Sequence, residues 1–249
     1  METAQRPEGA AAIRRSENGR IFALTTLLPV GILKAMQDGT RKNWKALLFP
    51  LVWEAFFVAS YLVVALRDDK RHFTYTLYFM SIFYIGLLVY YRKEFSLREF
   101  LKGFLRFRQF VLPVLCTAAG IALAHALSKV LLAALFPGQV KILLPLAYGN
   151  SLPEILLYAA TVMVFKPFAS ELFFRRGWID LSGKGWLIFT VLTGFLLEMA
   201  TRSVTLPGLF ETVILAVPLV IAYCVTKNVY VSLFVHFIFC IFINIEDVV

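Results

Sequence analysis

Long apolar runs separated by short basic stretches dominate the chain. A helix that crosses a bilayer needs about 20 consecutive, mostly apolar residues. Residues 46–66, 74–91, 110–136, 152–174, 186–200, 209–226 and 229–245 are the stretches that approach or pass this length. The 110–136 run holds His125 and Lys129, which predicts tilt or an interfacial end. The 186–200 run is short and is expected to sit well inside the protein. Residues 21–37 carry Pro29, Gly31 and Lys34, which predicts an interfacial or re-entrant segment instead of a crossing. The polar residues 1–20 are expected to form a disordered, non-translocated tail, and no A-x-A cleavage pattern follows the apolar stretch after it.

Between the second and third runs lies RKEFSLREFLKGFLRFRQ, residues 92–109. Its spacing predicts an amphipathic helix in the interface, with Phe95, Phe100, Leu101, Phe104 and Leu105 near one face and Arg and Lys on the other. The chain then divides into a polar tail (1–20), N-terminal membrane segments with this basic interfacial helix (21–109), and a membrane helix bundle (110–249). The fold class is all-α, a polytopic transmembrane helix bundle of about seven to eight membrane helices.

Composition agrees. Of 249 residues, 59% are hydrophobic and 16% charged, against the roughly 45–50% apolar content of ordinary globular proteins. Mean hydropathy is +0.74, so a soluble fold could not cover its surface with polar groups. Cys116, Cys224 and Cys240 lie inside apolar runs without CxxC spacing, which reads as three buried thiols instead of a disulfide framework. The net charge of +9 sits between the apolar runs, where anionic lipid headgroups, not nucleic acid, are the expected partner.

Counting Lys and Arg in short loops orients the chain. If 21–37 does not cross, one side collects Arg14, Arg15, Arg20, Lys34, Arg41, Lys42 and Lys45, then Arg92, Lys93, Arg98, Lys102, Arg106 and Arg108, then Arg175, Arg176, Lys184 and Lys227. The other side receives Arg67, Lys70, Arg71, Lys141 and Arg202. This asymmetry predicts seven crossings, a cytoplasmic N-terminus and an external C-terminus.

Ionisable groups inside membrane runs are costly and mark candidate sites. They are Glu54, His125, Lys129, Glu154, Lys166, Glu171, Glu198 and His236. Lys129 can snorkel, Glu154 and Glu211 fall in predicted first turns, and a lone His125 is expected to be hydrogen-bonded within the bundle. Glu54 has no obvious sequence partner.

Three clusters remain. Glu171 and Arg175 are four residues apart and stack on one helix face, where they can pair. Glu198 has Arg202 at the same spacing, and His236, Cys240 and Asn244 share a face of the last helix. Two carboxylates and an imidazole on three helices suit either water activation or mutual satisfaction. Glu171, Glu198 and His236 also reach the ligand count for zinc, although one His with two carboxylates argues weakly for it; no cofactor is expected. Glu171, Arg175, Glu198 and His236 are predicted to converge on one polar cavity near the basic-loop side, because such groups must offset one another's desolvation.

The succession SELFFRRG, GFLLEM and NVYVSLFVHFIFC, within residues 150–245, resembles the CAAX-protease and bacteriocin-processing (CPBP, or Abi) family of intramembrane endopeptidases. That family carries EExxxR, FxxxH and HxxxN/D motifs on successive helices. The resemblance matches Glu171 to the second Glu of the first motif, Arg175 to its Arg, and His236 to the final His. Ser170 stands where the first Glu is expected, Glu198 where the second-motif His is expected, and Cys240 where Asn or Asp is expected. The first Glu and second-motif His are the family's water-activating groups, and the last pair completes the site. The resemblance therefore implies an intramembrane protease fold in a bacterial plasma membrane, acting on a membrane or lipidated peptide. Its site is altered. Either a rearranged glutamate mechanism or a non-cleaving, peptide-binding or bacteriocin-immunity role follows.

Overall fold

The computed structural model describes residues 44–65, 73–139, 151–203 and 205–244, all within one compact unit beginning at Asn43. The tail 1–20, the 21–37 segment and the basic positions Arg14, Arg15, Arg20, Lys34, Arg41, Lys42, Arg67, Lys70, Arg71 and Lys141 lie outside the described residues. Among those described, every extended element is a helix. We label them α1 (Leu48–Ala65, after a 3-10 turn at Trp44–Leu47), α2 (Phe73–Tyr91), α3 (Leu97–Gly103), α4 (Phe107–Leu135), α5 (Leu152–Gly177), α6 (Lys184–Ala200), α7 (Leu206–Thr226) and α8 (Val229–Asn244).

Among the described residues, four stretches are long and apolar enough to cross a membrane: Lys45–Val64, Phe107–Leu135, Leu152–Gly177 and Leu206–Thr226. Tyr75–Tyr91 and Val229–Asn244 are apolar but shorter. Large apolar side chains such as Leu48, Val63, Leu123, Leu196 and Val225 point outward. In water these would be aggregation sites, whereas on a membrane protein they face acyl chains. The chain is an integral membrane helix bundle.

Prolines set several helix starts. Pro153 and Pro207 occupy first-turn positions, where the missing N–H has no intrahelical partner to lose, and Pro113 falls where the π-helical turn of α4 passes into regular α-helix. Pro207 starts α7 at Leu206, so Glu211 lies in the second turn and is buried, not in the first turn as the sequence suggested. Pro167 lies mid-way along α5, between π-helical turns at Ala160–Phe165 and Glu171–Gly177. Wider turns absorb the hydrogen bond that an internal proline removes.

The 92–109 stretch differs from the continuous helix its spacing predicts. Helix α3 covers only Leu97–Gly103, capped by Ser96, and the chain turns at Phe104–Arg106 before a π-helical turn opens α4 at Phe107. Close packing causes the break. A Cβ on Gly103 would meet the Phe110 ring at 2.9 Å, so the chain bends there to bring Phe100 and Phe104 against Phe110.

Helix α6 also departs from expectation. It is not enclosed. Only Thr190, Gly194 and Glu198 are buried, a stripe at four-residue spacing, while Ile188, Leu192 and Leu196 face outward. The extended segment after α5 runs back along that stripe. Trp178 Nε1 donates to Thr193 Oγ1 at 2.9 Å, and the Asp180 amide donates to Thr190 Oγ1 at 3.0 Å. Gly194 leaves room for the Trp178 ring, whose Cδ1 lies 3.0 Å from a Cβ placed there.

The largest apolar core joins Phe57 and Tyr61 of α1, Met80, Phe83 and Leu87 of α2, and Ala169, Leu172, Phe173 and Phe174 of α5. Helix α7 packs on α4, with Gly120 against Pro218, and α8 packs between α4, α5 and α7. These contacts bring the second half of α5, the end of α6 and the first half of α8 side by side.

Candidate functional site

Five ionisable side chains close a ring at this junction. Arg175 Nη1 donates to Glu198 Oε2 at 2.7 Å. Arg202 Nη2 lies 2.6 Å from Glu198 Oε1 and 3.4 Å from His236 Nε2. His236 Nδ1 lies 2.9 Å from Glu171 Oε1, and Glu171 Oε2 faces Arg175 Nε at 3.6 Å. The circuit therefore runs Glu171, Arg175, Glu198, Arg202, His236 and back to Glu171. Two charged links run at four-residue spacing along the chain, one within α5 and one from the end of α6 into the turn after it, and the remaining contacts join α5, this end of α6 and α8.

Burial is nearly complete: Glu171 and Glu198 are 0% exposed, Arg175 1% and His236 2%, with Arg202 at 14%. The expected convergence of Glu171, Arg175, Glu198 and His236 holds. They meet side chain against side chain, however, in a buried ion-pair network. Arg202, read from sequence only as a local partner of Glu198, is a full member that bridges to His236.

Charge complementarity explains why the network tolerates the interior. An isolated charge at the bilayer centre costs about 2.5–3.5 kcal/mol on insertion scales. Here two carboxylates face two guanidinium groups, so their charges cancel with the imidazole neutral. The contacts also select the tautomer. Nε2 faces an arginine donor and must accept, so the neutral ring carries its proton on Nδ1 and donates to Glu171.

Of the other candidate residues, Ser170 and Cys240 lie next to ring members in the chain or the fold, and the rest lie elsewhere in the bundle. Ser170 is buried, and its Oγ makes no hydrogen bond to the described residues. Tyr84 of α2 lies beside it. Cys240 is buried one turn beyond His236 and lies against it. Asn244, a turn further, donates to the Cys240 carbonyl at 2.7 Å and so closes the helix end. Lys166 is partly buried, in the electrostatic neighbourhood of Glu198, Glu211 and Cys240. Glu154 accepts from Ser151 Oγ at 2.9 Å at the start of α5. The His125 ring meets Phe239 edge-on, with centroids 5.6 Å apart.

Sequence reasoning undervalued one group. Glu54 of α1 is 2% exposed, and neither carboxylate oxygen has a hydrogen-bond partner among the described residues. The signal was present, since Glu54 is the single charged residue between Leu48 and Ala65. Donor capacity is also unused in the ring itself, at Arg175 Nη2 and Arg202 Nε. Among the described residues no set of three His, Cys, Asp or Glu side chains is placed to hold a metal ion. The carboxylates that could have joined such a set face guanidinium groups.

The chain matches no protein-family model, and comparisons with curated proteins and with solved structures give no significant match.

Proposed function

We propose that the chain is a CPBP-like intramembrane protein whose site holds a membrane-embedded or lipidated peptide without cutting it. The ion-pair ring carries this reading. A general base must be free to take a proton from water. Glu198 pairs with two guanidinium groups, Glu171 holds His236 Nδ1 through Oε1 and sets Oε2 against Arg175 at 3.6 Å without a hydrogen bond, and His236 Nε2 faces Arg202. Ser170, at the position that resembles the water-activating Glu, has no accessible ionised form. Cys240 is a weak donor where an amide would be strong, and losing one strong oxyanion donor typically lowers the rate by about 10²–10³. The unused N–H groups of Arg175 and Arg202 are buried, and opening of the ring would offer them to a peptide carbonyl or carboxylate.

One observation favours the other reading. The 2.9 Å contact between Glu171 and His236 resembles an orienting carboxylate–imidazole pair, which would let His236 act on water if Arg202 withdrew. A proteolysis assay on reconstituted protein decides. Little or no cleavage by the natural sequence, with cleavage emerging when Ser170→Glu, Glu198→His and Cys240→Asn are combined, is the expected result. Robust cleavage by the natural sequence, abolished by Glu171→Gln with folding intact, would overturn the non-cleaving reading.

On topology, we propose that α2, α6 and α8 complete seven crossings in a bacterial plasma membrane, with the N-terminus cytoplasmic. In support, Arg92, Lys93, Arg98, Lys102, Arg106, Arg108, Arg176 and Lys227 gather where α2 and α7 end and α4 and α8 begin. Cysteine-accessibility labelling at Arg92→Cys should report the cytoplasmic side. Labelling from outside intact cells would reject this orientation.

A further inference from the structure

We propose that the elbow between α3 and α4 is a binding site for the phosphate headgroup of an anionic glycerophospholipid. The elbow is fastened on two sides. The Ser96 amide donates to the Tyr230 hydroxyl at 2.9 Å, tying α3 to the start of α8. Beneath it, Phe104 packs edge-on against Phe110 and Phe234, with centroids 4.9 and 5.2 Å away. Between elbow and helix start lies a cavity of about 140 Å³ lined by Glu99, Lys102, Arg106, Gln109, Asn228 and Tyr230. Glu99 engages Lys102 at 3.2 Å, both side chains being about half exposed, so this pair is solvent-screened and exchangeable.

Charge and shape together choose the ligand. Residues 92–109 carry six Lys and Arg against two Glu, and two of those cations converge on the cavity beside the amides of Gln109 and Asn228. Directly flanking them, Leu101, Leu105 and Phe107 are 56%, 86% and 61% exposed. A free phosphate would use the cations and leave this apolar shelf bare. A diacyl phospholipid uses both, its phosphate on Lys102 and Arg106 and its acyl chains along the shelf. A choline headgroup would set a third cation beside the two already there, so an anionic headgroup is favoured. The site lies outside the buried ring, and its occupation is independent of whether the protein cuts or holds peptides.

The test is native mass spectrometry of the full chain released from detergent in an equimolar mixture of phosphatidylglycerol and phosphatidylcholine. The natural protein should retain phosphatidylglycerol preferentially, and Lys102→Ala with Arg106→Ala should reduce that preference on the order of tenfold. Both side chains are exposed, so folding should persist; Arg106→Gln alone supplies a milder variant expected to fall in between. Arg92→Ala with Lys93→Ala, at the same end but outside the cavity, should leave the preference unchanged. Leu105→Asn should weaken lipid retention without affecting competition by inorganic phosphate. An equal loss in the Arg92/Lys93 variant would reduce the effect to general surface charge and overturn the site. Full displacement by millimolar inorganic phosphate with no effect of Leu105→Asn would overturn the lipid assignment, as would absence of any preference in the natural protein.

Discussion

Replacing Glu198 by Ala would remove the carboxylate that bridges two guanidinium groups, Arg175 at 2.7 Å and Arg202 at 2.6 Å. Breaking a buried pair from one side leaves an uncompensated charge, which typically costs about 3–5 kcal/mol. Glu198→Ala should therefore lower the thermal midpoint in detergent more than Glu171→Ala, whose loss leaves Arg175 with Glu198 still in place. Equal, small shifts for both would contradict the ring. Glu54 makes the opposite case. Its oxygens lack partners among the described residues, so Glu54→Met, similar in volume and apolar, should stabilise by about 1–2 kcal/mol if the carboxylate serves only structure. A destabilised Glu54→Met would instead indicate that the carboxylate is held by bound water or a ligand. At this scale the sequence was readable where partners are four residues apart, as in Glu171 with Arg175 and Glu198 with Arg202. It could not show that Arg202 reaches His236, because that contact depends on how α6 docks against α8.

Helix boundaries followed apolar periodicity closely, since each run ends where charge or proline stops it. The exceptions arise from packing that a single helix cannot encode. The 92–109 pattern reads as one helix until Phe110 of the next helix needs the space beside Gly103. The 186–200 run looked buried because it is short, yet only the Thr190, Gly194 and Glu198 stripe is covered. Two substitutions test element-level packing. A Cβ on Gly86 would meet Trp53 Nε1 at 2.6 Å, while that indole holds the Phe83 carbonyl at 3.1 Å. Gly86→Val should pry α1 from α2 and destabilise by about 1–3 kcal/mol, measurable as a lower thermal midpoint. Lys227 ends α7 at a left-handed φ of 52°, where glycine is preferred. Lys227→Gly should stabilise by about 1 kcal/mol, and a loss of stability would show that the Lys227 side chain matters more than its backbone.

For the whole molecule, the main apolar core is shared between the N-terminal helices and α5, so neither part is complete alone. Buried Ser81 and Thr161 also join hydroxyls at 2.7 Å between α2 and α5. A chain lacking residues 1–91 should lose the cover over Leu172, Phe173 and Phe174 and become heterogeneous in size-exclusion chromatography and protease-sensitive along α5. Co-expression of 1–91 should restore a monodisperse species. A well-behaved fragment would mean that α4–α8 form a self-sufficient unit. The membrane class was evident from run length and composition alone. The number of crossings was not, because α2 and α8 are apolar but short, and α6 has only 17 residues.

The four-residue spacing inside the ring bears on biosynthesis. Helix α5 leaves the ribosome carrying Glu171 with Arg175, and the α6 segment carries Glu198 with Arg202, so each can enter the bilayer as an internally neutralised unit. Only when the two segments meet does Arg175 engage Glu198, and His236 arrives last, on the final helix, to join the ends. Removing Arg175 would deprive Glu171 of its counter-charge one turn along α5 before any other helix is available. Its effect should then appear as failed insertion of α5 during translation, earlier than any instability of the finished bundle.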